Sequence, residues 1–112
     1  MQLNLIVIRT GDMPKLVEFY TSLGLHFEYH KHGNSPLHYS AKIGETTMEI
    51  YPLAKDQLSA DKNLRLGFAI DDFDEVIASL KDNIVSQPLQ TDWGYMAVLQ
   101  DTDGRKVEVY KK

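Results

Sequence analysis

Two rhythms of apolar and polar positions run along this chain, and they recur in the same order in each half. "LNLIVI" (3–8) is a short apolar run ending at Thr10-Gly11, which predicts a mostly buried strand. "DMPKLVEFYTSLG" then changes period. Leu16, Phe19, Tyr20 and Leu23 fall at i, i+3, i+4 and i+7 and predict the apolar stripe of a helix. Asp12 stands at the N-cap, Pro14 is tolerated in the first turn, and Gly24 suits a left-handed residue past the end. "LHFEYHKH" (25–32) alternates, with His26, Glu28, His30 and His32 on one face and Leu25, Phe27 and Tyr29 on the other. The polar face reads as a solvated edge strand; the alternative is a metal-binding His-x-His pair. A Gly33-Asn34-Ser35-Pro36 turn leads to two more strands, "LHYSAKI" (37–43) and "TTMEIYP" (46–52), and then to a polar connector, "LAKDQLSADKN" (53–63).

The second half repeats the first. "LRLGFAI" (64–70) predicts a strand, and "DDFDEVIASLKDN" predicts a helix with apolar Val76, Ile77 and Leu80 and a capping box of Asp72 and Glu75. "VSQPLQTD" reads as an edge strand because it contains Pro88. "WGYMAVLQ" (93–100) and "RKVEVYK" (105–111) predict strands joined by an Asp-Thr-Asp-Gly turn. Asp12 and Asp72 lie 60 positions apart, and Glu49 and Glu108 lie 59 apart. The order strand-helix-strand-strand-strand, written twice, predicts an internal duplication. The expected fold is a single α+β domain of two βαβββ modules, 1–52 and 64–112, joined by the connector 53–63.

Parity then singles out one face of each module. Thr47, Glu49 and Tyr51 share a face, as do Lys106, Glu108 and Tyr110. The apolar side of "LRLGFAI" must cover a helix, which leaves Arg65, Gly67 and Ala69 on the glutamate side. In the first half Leu3, Leu5 and Val7 lie opposite Ile6 and Ile8. Two curved mixed half-sheets carrying these faces are expected to enclose a cleft.

Bulk properties narrow the chemistry. A chain of 112 residues is enough for one core, and folding at this size buries roughly 65% of the unfolded surface. No cysteine is present, which removes disulfides, thiolate chemistry and Cys-ligated zinc. Neither a membrane-length apolar run nor a signal-peptide pattern appears, so a cytoplasmic protein without membrane contact is expected. A net charge of -4 opposes nucleic-acid binding and favours neutral or cationic small ligands. The glycines stand singly at turns, so no phosphate-binding loop or dinucleotide fingerprint can be assembled, and no Ser-His-Asp set either.

The doubled βαβββ order, "DMPKLVEFYTSLGL" after the first strand and "WGYMAVLQDTDGRKVEV" at the end together resemble the vicinal oxygen chelate superfamily. That group includes glyoxalase I enzymes, extradiol dioxygenases and bleomycin-resistance proteins. The resemblance covers essentially the whole chain; its F-Y-x-x-L-G and D-x-D-G-x-x-x-E elements belong to the superfamily rather than to one activity. It implies four metal-ligand positions in the metalloenzymes, carried here onto Leu5, Glu49, Arg65 and Glu108. A catalytic divalent metal takes about three protein ligands plus an open position. Leu5 offers none, and the guanidinium of Arg65 cannot coordinate. No cofactor is therefore expected. Arg65 takes over the metal's electrostatic role by bridging Glu49 and Glu108, either as a structural relic or as a ligand-orienting floor.

"DWGYMAV" is similar to the metal-free, bleomycin-resistance-like branch, whose cleft binds planar or cationic molecules. Trp93 would then be an aromatic wall, with Tyr51 and Tyr110 lining the same cleft; the alternative for all three is packing. Arg9, in "RTGD", stands where bacterial glyoxalase I enzymes carry an arginine that helps hold glutathione, although a strand-end arginine is also an ordinary solvated charge. His38 falls on the cleft side and is the one candidate general base there. The expected function is binding of a small organic ligand by a homodimer through Glu49, Arg65, Glu108, Trp93, Tyr51, Tyr110, His38 and Arg9. The rival is a glyoxalase-like lyase or isomerase, or a related dioxygenase. It requires nickel, zinc, manganese or iron at Glu49 and Glu108, with further help from a partner chain or from His38.

Overall fold

A computed structural model describes residues 1–31 and 33–112; the expectation for His32 lies outside the described residues. The first module runs β1 (Leu5–Thr10), α1 (Met13–Ser22), β2 (Glu28–His30), β3 (His38–Ile43) and β4 (Thr46–Pro52). The second runs β5 (Leu66–Ile70), α2 (Phe73–Ser79), a 3-10 turn, β6 (Ile84–Thr91), β7 (Gly94–Gln100) and β8 (Lys106–Lys111). Each module is a four-stranded mixed sheet, ordered β1-β4-β3-β2 in the first and β5-β8-β7-β6 in the second. β1 pairs in parallel with β4, and β5 with β8, so Val7 lies beside Glu49 and Gly67 beside Glu108. These are equivalent positions of a duplicated unit.

The helices start differently. Asp12 Oδ1 accepts the backbone N–H of Lys15 at 3.1 Å, the N-cap that the sequence predicts. Asp72 does not form its expected capping box. It sits in the left-handed region at φ 53° rather than in the extended conformation usual for an N-cap, and no side-chain cap bond forms. β2 spans three described residues rather than the whole of 25–32, and β6 is an eight-residue edge strand with two register shifts around Pro88.

One core serves both modules. Ile8, Leu16, Phe19, Met48 and Ile50 from the first are buried together with Ile70, Phe73, Leu99, Val107 and Val109 from the second. The Tyr20 and Phe68 rings meet across the modules at 6.1 Å. Because the helix-covered faces are joined in this core, the opposite faces are left open: Leu5 and Val7 remain 51% and 39% exposed. Arg105, only 1% exposed, fastens the arrangement. Its guanidinium donates to Asp101 (3.3 Å), to Asp103 (3.1 Å) and to the carbonyl of Arg9 (2.8 Å). Among the described residues no helix is long and apolar enough to cross a membrane.

Candidate functional site

The open face of the first sheet carries a row of side chains fixed by register. His30 on β2 pairs with His38 on β3, and Arg9 on β1 pairs with Tyr51 on β4. Their rings and charge then stack in sequence. His30 and His38 lie 4.7 Å apart, His38 lies on Tyr51 at 4.4 Å with planes 15° apart, and the Arg9 guanidinium is 5.1 Å from the Tyr51 ring centre. Arg9 is held there by donating to the carbonyl of Pro52 at 3.0 Å. Glu49 lies two positions from Tyr51 on the same strand, and its Oε2 is 3.3 Å from His38 Nε2. His38 is fully buried and its Nδ1 donates to the carbonyl of Pro36 at 2.9 Å.

This row borders a groove of about 470 Å³ lined by Leu5, Val7, Arg9, Glu49, Tyr51 and Leu64, with Gln57 and Asp61 of the connector along its side. Apolar walls with a few convergent polar groups are the usual make-up of a small-molecule site, and this volume lies within the ordinary range.

The open face of the second sheet holds a separate cluster. Arg65 Nε donates to Glu108 Oε2 at 2.6 Å, and the Tyr110 hydroxyl donates to Glu108 Oε1. The Tyr110 hydrogen bond, and after it the one from Arg65, holds the Glu108 carboxyl below the usual carboxylate range. The same bond raises Tyr110 above the usual phenol range. Trp93 lies in the turn between β6 and β7, 83% exposed, and the neighbouring Gly94 approaches the Tyr110 ring.

The expected site residues thus fall into two groups within one chain. Arg9, His38, Glu49 and Tyr51 meet on the first sheet, while Arg65, Glu108 and Tyr110 meet on the second. Among the described residues Arg65 pairs with Glu108 and makes no ion pair with Glu49, so the Glu-Arg-Glu bridge is not formed within a chain. The four metal positions carried over from the resemblance do not fit a metal. Leu5 has no donor atom, and both oxygens of Glu108 are taken by Arg65 and Tyr110. His30 also departs from its reading as a solvated edge residue, since it packs on His38 instead.

The family model described as "Glyoxalase/Bleomycin resistance protein/Dioxygenase superfamily" matches residues 2–109. Among solved structures, the fold is similar to TnmS3, an antibiotic binding protein from Streptomyces sp. CB03234, at 21% identity and a TM-score of 0.76, covering 99% of this chain and 95% of that one. It is also similar to a glyoxalase/bleomycin resistance protein from the same Streptomyces (22% identity, TM-score 0.71, 97% and 99% covered). A third likeness is hypothetical protein SA1046 of S. aureus (16%, 0.73, 100% and 97%). No curated protein matches.

Proposed function

Because the chain belongs to the glyoxalase/bleomycin resistance protein/dioxygenase superfamily, we propose that it acts as a small-molecule-binding member, without a metal at the family's four positions. The observation that carries this reading is the groove beside the Arg9–Tyr51–His38 row, with Glu49 at its floor and Leu5, Val7 and Leu64 as apolar wall. A planar molecule gains stacking area against Tyr51 and contact with the aliphatic wall. A cationic group on it is drawn to Glu49 and to the chain's net charge of -4. TnmS3 is an antibiotic binding protein, and its likeness in fold supports looking among antibiotics.

The site works in a cytoplasmic homodimer in this reading. Leu5 and Val7 on β1 are 51% and 39% exposed, Leu3 just before the strand is 62% exposed, and β1 and β5 are both edge strands. An apolar row beside an unpaired strand edge is the kind of surface that a second copy covers. Trp93 and the Arg65–Glu108–Tyr110 cluster then supply the further wall and polar floor.

The test is a thermal-shift panel of planar cationic aromatics, such as proflavine and ethidium, run beside neutral and anionic analogues. A rise in melting temperature confined to planar cations supports the reading, and no shift with any of them contradicts it. Turnover of a glutathione hemithioacetal with added nickel or zinc would establish the lyase instead.

A further inference from the structure

We propose that the chain binds one divalent transition-metal ion, zinc or a similar first-row cation, between His30, His38 and Glu49 on the open face of the first sheet. The inference goes beyond the small-molecule reading and stands without it. One ligand atom from each of the three residues lies within 4.8 Å of the others. All three ride on adjacent hydrogen-bonded strands, β2, β3 and β4, which is firmer support than a loop provides.

His38 is oriented as a metal ligand is. Its Nδ1 hydrogen goes to the Pro36 carbonyl, which can only accept, so in the neutral ring the Nε2 lone pair points towards Glu49. A backbone carbonyl on the non-ligating nitrogen is the usual outer-shell support of a ligating histidine. Stacking on Tyr51 fixes the ring plane as well. Tetrahedral zinc, with bonds of roughly 2.0–2.1 Å, sets two ligand atoms about 3.3 Å apart. His38 Nε2 and Glu49 Oε2 already stand at 3.3 Å. His30 ends a three-residue edge strand, and its ring must approach the other two ligand atoms, now within 4.8 Å, to complete the set.

Two imidazoles and one carboxylate favour zinc, nickel, cobalt or iron(II) over magnesium or calcium, which prefer all-oxygen sets. The site draws every ligand from the first module and shares only Glu49 with the four positions carried over from the resemblance. Since Glu49 lines the groove, the fourth coordination position falls to water or to an electron-pair donor on a molecule bound there.

The experiment is a titration of the full chain, without a histidine tag and stripped by EDTA, with Co2+ alone, followed by visible absorption and calorimetry. One Co2+ per chain is expected, displaced by Zn2+. His30→Gln and Glu49→Gln should each weaken it at least tenfold, in line with the roughly 10–100-fold cost of disturbing even outer-shell partners. Unchanged circular dichroism would show both variants folded. His26→Gln should leave binding as it was. Absence of saturable Co2+ binding by the unaltered chain overturns the proposal, and so does binding that survives both His30→Gln and Glu49→Gln.

Discussion

The Tyr20 hydroxyl donates to Asp101 Oδ2 at 2.8 Å, joining residues 81 apart in sequence, one on the first module's helix and the other in the second module's closing turn. Asp101 also accepts from the backbone N–H groups of Asp103 (2.9 Å) and Arg105 (3.0 Å) and from the Arg105 guanidinium (3.3 Å). One carboxylate thus closes a turn, neutralises a buried cation and pins a helix. These contacts hold the two helix-covered faces in one core, which is what leaves the glutamate faces open.

Removing one member of a buried charged network leaves the others uncompensated. Arg105→Ala should cost about 3–5 kcal/mol, and Tyr20→Phe about 1–3 kcal/mol by stripping one hydrogen bond from Asp101. Urea unfolding followed by far-ultraviolet circular dichroism measures both, and equal, near-zero effects would contradict this role for the network.

Burial, and next the Asp101 charge, push Tyr20 well above the usual phenol range. A raised folded pKa contributes stability that is present below the unfolded value, near 10, and is lost as pH rises through the folded one. Alkaline ultraviolet titration of the six tyrosines should therefore leave at least one phenol un-ionised until the protein unfolds. Tyr20→Phe should remove one delayed phenol and leave the raised Tyr110 in place.

Glu108 carries the opposite sign. Its folded pKa is depressed by Tyr110 and Arg65, so its contribution is present above the unfolded value, near 4.3, and fades as pH falls through the lower folded one. Glu108→Gln should flatten the acid limb of the stability profile below about pH 4.3 while changing the alkaline limb less. Thermal melts of both proteins across that range provide the check.

The exposed β1 row predicts association. Sedimentation should give a mass near two chains, and Leu5→Asp combined with Val7→Asp should shift it to one, with the fold retained because both side chains are open to solvent. A single-chain mass for the unaltered protein would count against the homodimer.

The sequence made the module order and the open faces legible because both rest on local periodicity. Glu49 between Met48 and Ile50, and Glu108 between Val107 and Val109, lie on the open faces with their apolar neighbours buried, as alternation requires. The capping box at Asp72 did not form: Asp72 takes a positive φ, a backbone conformation that a motif of side-chain types does not encode. The Asp101–Arg105–Tyr20 network was hidden because "DTDGR" reads as a sufficient hairpin turn on its own, and nothing local says that its arginine is buried. The His30–His38 contact was within reach. A turn centred on Asn34 sets residues 30 and 38 opposite each other, and pairing the two strands through it would have moved His30 off the solvated edge. Whether Glu49 and Glu108 meet depends on how the modules pack together, which no local pattern encodes.

The most direct test of the central claim is a calorimetric titration of tag-free, chelator-treated protein with proflavine, followed in parallel by the fluorescence of its single tryptophan, Trp93. Small-molecule binding in the groove predicts saturable binding at one site per chain without added metal, weakened at least tenfold by Glu49→Gln and by Tyr51→Ala. Binding that is absent, or indifferent to both substitutions, would contradict it.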